Sequence, residues 1–252
     1  MKHSVICIVC LILMSSIVHA QNTEEILAHY RTRGLTFSRM IGAPAQEVGE
    51  MLVKEIYGRL QIPVRIIKMT GKRALVSAKT GAVDGECQRI MRVQEVAPTL
   101  IRLSPHISQF EGTVFTKIPD MKVEGWDSIK DYNIGVREGV QYIEDATKGF
   151  KRVEIIHDDP TLFQFLNSDR VDLIINPRFN GLIHLKQLNL GNVIRPIGPP
   201  LATFRTYNYL HVKHRKLAPI VEDLLVKMYV SGELQELREH FQQEVIATTT
   251  PR

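Results

Sequence analysis

The 252-residue chain carries 32 Lys and Arg against 27 Asp and Glu, a net charge of +5, with 44% hydrophobic and 7% aromatic residues. Its basic residues are spread along the chain and it has a single Trp, which argues against a nucleic-acid surface, because that needs a basic stripe interleaved with aromatics. Scattered lysines read first as a solvated exterior, although a basic surface also suits an anionic ligand or a membrane surface.

Residues 1–20, MKHSVICIVCLILMSSIVHA, combine Lys2, an apolar run from Val5 to Val18, and Val18-His19-Ala20 ahead of Gln21. This is the pattern of a cleavable secretory signal with the cut after Ala20. The run is shorter than the ~20 residues of a spanning helix, so an exported protein without stable membrane insertion is expected. Removing twenty residues leaves 232 with net charge +4, since only Lys2 is lost among the charged groups. That length suffices for one large domain or two small lobes. Cys7 and Cys10 leave with the signal, and Cys87 remains alone, which excludes an intramolecular disulfide. Gln21, not a Cys, stands directly after the cut, so a lipoprotein anchor is not expected, and a bacterial periplasm is the natural compartment.

In chain order, LTFSR at 35–39 reads as a strand. Val48, Met51, Leu52, Ile56 and Leu60 mark one helical face from Ala45, and PVRIIKM at 63–69 returns to strand character. Strand-helix-strand is the local grammar of a parallel sheet. A short helix from Arg73 to Lys79 leads to TGAVDGECQR at 80–89, whose strand opens at Val83, with further strands at Leu100–Leu103 and at 112–117. After IPDMKVEGWDSIKD the pattern restarts: YNIGV, a helix from about Val140, VEIIH, a helix from Pro160 to Leu166, the strand VDLII, a helix from Phe179 to Leu188 and a strand NVIRPI. TFRTYNYLHVKH at 203–214 reads as a returning strand. It is followed by a helix with the stripe Leu217, Ile220, Val221, Leu224, Leu225 and Met228, and by a last helix for which Ser231 is the expected N-cap. No linker rich in Ser, Gly or Pro separates the two sets, so lobes joined by strands are expected rather than separate beads.

The phrases RALVSAKTGAVDGECQR, EGWDSIKDYNIGVREGV, LFQFLNSDRVDLIINPR and LHVKHRKLAPIVEDLLVKMYVSGELQEL occur in this order over most of the chain. Together they resemble the family 3 periplasmic solute-binding proteins, the receptors of amino-acid-type ABC importers. The resemblance implies a type II periplasmic binding protein fold of two α/β lobes, with a hinge of two crossing strands and a small polar ligand taken up in the cleft by closure. Lobe 1 would comprise 21–113 plus 206–252, and lobe 2 would comprise 114–205. A monomer is implied, with permease subunits as partner and with no cofactor, metal or catalytic residue. Ligands of open α/β sheets do bind beyond the carboxyl ends of strands.

On that template the candidate ligand residues are Ser38, Arg39, Arg73, Glu86, Arg89, Glu138, Gly139, Val140, Asn176 and Arg178. Ser38 and Arg39 end the first strand, where an arginine can meet a carboxylate with paired hydrogen bonds or stand as an exposed strand-end charge. Arg73 has the same two readings. Glu86 and Arg89 are either ligand groups or a mutual ion pair on the lobe surface. Glu138, Gly139 and Val140 span a strand end and a helix start, whose free amides favour an anion unless the glycine only makes a tight turn. Asp84 and Asp172 each follow a Val at a strand start, and capping the turn or pinning a neighbouring backbone amide is expected of them ahead of ligand contact.

At 176–178, where amino-acid receptors of the family carry an Asp for the ligand's ammonium, this chain reads Asn-Pro-Arg. A carboxylate-bearing or otherwise anionic solute is therefore expected. The competing reading is a periplasmic enzyme of the same fold, dehydratase-like, with Glu86 and His106 or His211 as acid and base. No HExxH, GxSxG or Walker loop supports it. A third class is a sensor or accessory protein that binds a solute without an importer.

Overall fold

The computed structural model describes residues 21–250, and the signal-peptide reading lies outside them. The chain forms two compact units. The first comprises residues up to Ile41, Gly49–Ile107 and Tyr207–Leu237; the second comprises Gly42–Val48, Ser108–Thr206 and the residues from Arg238 on.

The first unit opens with helix α1 at 21–33, which no periodicity had marked in the sequence. It is followed by β1 (Leu35–Met40), α2 (Ala45–Arg59), β2 (Val64–Met69), α3 (Gly71–Lys79), β3 (Gly85–Ile90), the short α4 (Val93–Val96) and β4 (Leu100–Arg102). Strand β1 pairs in parallel with β2, from Leu35↔Val64 to Met40↔Met69, and with β3 at Phe37↔Gly85 and Ser38↔Glu86. This is the parallel arrangement expected when helices connect successive strands. The apolar face of α2 supplies Val48, Leu52, Val53, Ile56 and Tyr57, all buried. Phe37 lies against Tyr57 with ring centroids 5.0 Å apart.

The second unit holds β5 (Ser108–Thr116), β6 (Ile134–Arg137), α5 (Gln141–Ala146), β7 (Val153–Ile156), α6 (Asp159–Asn167), β8 (Leu173–Pro177) and α7 (Arg178–Gln187). Strand β5 pairs antiparallel with β8, Gly112 opposite Pro177 and Thr113 opposite Asn176, while β6 pairs in parallel with β7 and β8. Strand β8 reads as a continuous apolar run because it is covered on both faces. Ile174 packs with Phe115, Phe163 and Leu185, whereas Leu173 and Ile175 pack with Val114, Ile134 and Val136.

NVIRPI and TFRTYNYLH, expected as separate strands, are one strand, β9 (Arg195–His211), which serves both units. Its first part pairs with β5 from Ser108↔Thr206 to Thr116↔Arg195, and its last part with β4 from Leu100↔His211 to Arg102↔Tyr209. Helices α8 (Ala218–Val230) and α9 (Glu233–Thr248) follow. Ser231 closes α8 as its C-cap instead of opening α9, and its Oγ accepts from the Glu233 amide only at 3.4 Å.

The units divide differently from the expected lobes. The passage at 113/114 falls instead at 107/108, because β5 pairs with strands of the second unit along its whole length. Residues 42–48 group with the second unit, where the Ala45 amide donates to Asn180 Oδ1 at 2.8 Å and Arg137 reaches Gly42 O at 3.5 Å. The end of α9 groups there too, with Lys186 Nζ on Ile246 O at 2.6 Å. Contacts of this kind join residues far apart in sequence, so local pattern carries no trace of them.

Candidate functional site

In the first unit Ser38 and Arg39 sit toward the carboxyl end of β1, Glu86 near the start of β3, Arg89 toward its carboxyl end and Arg73 in the first turn of α3. Ser38 is fully buried, and its hydroxyl bonds to Ala74 O and Gly85 O at 3.3 and 3.4 Å. Arg39 is 4% exposed and meets Glu50 Oε2 through Nε at 2.7 Å, while Lys54 takes the other carboxylate oxygen at 2.6 Å. Burial alone would raise the Glu50 carboxyl, but these two cations hold it below its ordinary range.

Glu86 and Arg89 form a pair, Nε to Oε1 at 2.6 Å, but not on the surface, as one of the two readings of the sequence had it. Glu86 is 1% exposed, and Arg89 also donates to Gly71 O at 2.6 Å, tying β3 to the start of α3. The second Glu86 oxygen is buried without a hydrogen-bond partner. Burial pushes the Glu86 carboxyl above its ordinary range against the opposing effect of Arg89. Stability from this group is therefore full below the unfolded value of about 4.3 and is lost as pH rises through the raised folded value. Compared with Glu86→Gln, the wild type should lose urea resistance as pH rises from about 4 toward neutrality. A difference between the two midpoints that stays constant over that range would exclude titration of Glu86 there.

Arg73, in the first turn of α3, is exposed and makes no ion pair among the described residues. It borders a groove of about 360 Å³ with Ile41, Ile67, Lys68, Met69 and Thr70.

In the second unit Glu138 is exposed and faces His157 Nδ1 at 3.1 Å. Gly139 has φ +79°, a conformation that glycine takes without strain, and a Cβ there would meet nothing within 4 Å. Its amide, expected to be free for an anion, donates to Glu144 Oε1 at 2.7 Å, and the Val140 amide reaches Arg137 O at 3.3 Å. Arg178 begins α7, exposed and without an ion pair among the described residues.

Asn176 belongs to a buried cluster that sequence reasoning did not find. Its Nδ2 donates to Asp159 Oδ1 at 2.8 Å; Arg137 meets Asp159 Oδ2 at 2.7 Å, and His184 Nε2 lies 3.3 Å from the same oxygen without hydrogen-bond alignment. Asn176 Oδ1, His184 Nε2 and the Tyr142 hydroxyl are buried without hydrogen-bond partners. The available signal was the pair Asp158-Asp159 at the start of α6, since one helix end needs one cap. Asp158 takes that role by accepting from the Thr161 amide at 2.8 Å, and Asp159 turns inward.

Asp84 and Asp172 bond to backbone amides, as their sequence positions suggested. Asp84 Oδ2 accepts from Thr36 N at 2.9 Å, and Asp172 Oδ2 accepts from Asn133 N at 2.8 Å. Asp84 also receives His214 Nε2 at 2.7 Å, Arg33 at 2.8 Å and Lys213 at 2.9 Å. Cys87 is buried, which pushes its thiol up and away from reactivity. Among the described residues no cluster of His, Cys, Asp and Glu is placed to hold a metal ion, and no helix is long and apolar enough to cross a membrane.

No protein-family model matches the chain. An uncharacterized protein of Shewanella oneidensis is 28% identical over 176 residues; the match covers 66% of this chain, which spans 65% of that relative's length. Among solved structures, an amino acid ABC transporter substrate-binding protein from Streptococcus pneumoniae bound to L-arginine matches with TM-score 0.67 at 13% identity, over 87% of this chain and 99% of that one. The GluR0 ligand-binding core in complex with L-glutamate matches with TM-score 0.69 at 9% identity, over 82% and 97% of the two chains.

The fold is that of the type II periplasmic binding proteins. A histidine kinase sensor domain with similarity to periplasmic binding proteins shares it, with TM-score 0.68 at 14% identity over 82% of this chain and 95% of that one. At such identities the fold carries no ligand with it.

Proposed function

We propose that the chain is an exported solute-binding protein that captures a small polar, carboxylate-bearing solute by the lobe closure its resemblance implies. The observation that carries this reading is the end of β8. Asn176 is neutral and bound to Asp159, and Arg178 follows as an exposed cation with no carboxylate partner among the described residues. An arginine there repels an ammonium and offers a carboxylate a planar pair of donors. The similar solved structures are binding and sensor proteins, which supports binding over catalysis.

A thermal-shift panel of carboxylates, neutral amides and amino acids tests the reading. A ligand at a hundred times its Kd should add about 3 kcal/mol of stability, and Arg178→Gln should weaken a carboxylate about tenfold or more, the loss of one charge-assisted contact. Stabilisation by cationic or zwitterionic amino acids alone would sink it. Mass spectrometry of the incubated solute separates binder from enzyme, since a binder returns it unchanged.

Delivery to an ABC importer follows from the resemblance. The sensor-domain match favours a second reading, a solute-binding part of a signalling receptor. Co-purification with permease subunits supports the first, and co-purification with a kinase supports the second.

A further inference from the structure

The groove beside Arg73 has a composition that the carboxylate reading does not by itself require. Its wall is apolar: Ile41, 48% exposed at the exit of β1, with Ile67 and Met69 from β2. Its rim is cationic. Lys68 and Arg73 border it, Lys72 stands exposed beside Arg73, and none of the three has an ion-pair partner among the described residues. No acidic residue occupies the first turn of α3, and Thr70 makes no side-chain cap bond there. Glu86 is engaged by Arg89, which also binds Gly71 O at the start of α3. About 360 Å³ lies within the range of small-molecule sites.

Three unpaired cations favour an anion electrostatically. An apolar wall disfavours a second charge on the same molecule, because desolvating an unpaired charge costs several kcal/mol. A zwitterion would bring an ammonium to a groove with no acid to receive it.

We infer that this groove takes a monocarboxylate with a short aliphatic tail, its head at Arg73 and its tail against Ile41, Ile67 and Met69. The inference rests on the carboxylate reading above and narrows it to an apolar-tailed acid without an amino group.

Titration of the purified chain with hexanoate, hexylamine, succinate and L-leucine, read by calorimetry and thermal shift, tests it. Hexanoate should bind saturably, Arg73→Gln should weaken it tenfold or more, and Ile41→Ser should weaken it several-fold. Both side chains are exposed, so both variants are expected to fold with unchanged circular dichroism. Hexanoate binding that is absent, equalled by hexylamine, or unchanged in Arg73→Gln would overturn the inference. If succinate binds and neither variant weakens it, the groove assignment fails while the carboxylate reading stands. If L-leucine alone binds, both fail.

Discussion

Gly85→Ala should destabilise the protein by about 3 kcal/mol or more, the upper end of what overpacking a filled core costs. Strand β3 runs beside β1 and β9, and a Cβ at position 85 would sit 2.0 Å from the Tyr209 carbonyl oxygen and 2.8 Å from Phe37 Cε1. The oxygen belongs to the backbone of β9, and Phe37 is fully buried against Tyr57, so neither neighbour can swing away as a flexible side chain would. Gly139→Ala provides the comparison. It meets open space and should cost only the left-handed strain of about 1–2 kcal/mol. Urea denaturation of the two variants, followed by circular dichroism, reads the difference. A Gly85→Ala protein as stable as Gly139→Ala would mean that β3 and β9 can part at little cost.

Asp84→Ala should cost about 3–5 kcal/mol, the penalty for removing one partner of a buried charge network. Asp84 is 5% exposed and receives His214, Arg33, Lys213 and the Thr36 amide, and His214 Nδ1 in turn meets the Tyr30 hydroxyl at 2.9 Å. The network joins α1, β1, the residue before β3 and the short 3-10 turn Val212–His214 ahead of α8. Arg33 and Lys213 are partly in water and contribute little through charge alone. The buried His214 and the Thr36 amide carry most of the loss.

The same group sets an acid limit. Burial would raise the Asp84 carboxyl, but hydrogen bonds from His214, Arg33, Thr36 and Lys213 outweigh it and hold the group well below its ordinary range. Its stabilisation is therefore present above the unfolded value of about 3.9 and is lost as pH falls through the depressed folded value. Asp84→Asn should be less stable than wild type at pH 6, and the gap should narrow as the wild type is acidified below about pH 4. A gap that holds constant down to pH 2.5 would show that Asp84 is not the group titrating.

The echo between VDGECQR and VDLIINPR shows how far sequence reached. Asp84 and Asp172 sit at corresponding places after a valine, and both bind a backbone amide of a neighbouring segment. That role was legible because a carboxylate at a strand start has few other uses. The partners that distinguish the two copies were not legible. His214 lies 130 residues from Asp84, and Arg33 lies 51 residues away.

The same limit governed the candidate site. Glu86 and Arg89 are three residues apart, so their pairing was foreseeable, but the burial of Glu86 belongs to the tertiary structure. The Gly139 amide looked free because nothing local marked Glu144 as its acceptor. Asp158 and Asp159 are equivalent in sequence until the helix takes one of them as its cap.

By itself the sequence determined the alternation of strands and helices, the parallel connections they require, and the acid-free run Asn176-Pro177-Arg178 at the end of a strand. These follow from side-chain period, turn chemistry and residue charge, which are local properties. Only the tertiary structure decided that NVIRPI and TFRTYNYLH are one strand and that residues 42–48 and the end of α9 join the second unit. It also decided which arginines are already engaged, and that Arg73 and Arg178 are among those left without an ion pair among the described residues. Whether a charge is available depends on which distant groups folding brings within about 4 Å of it, the reach of a salt bridge.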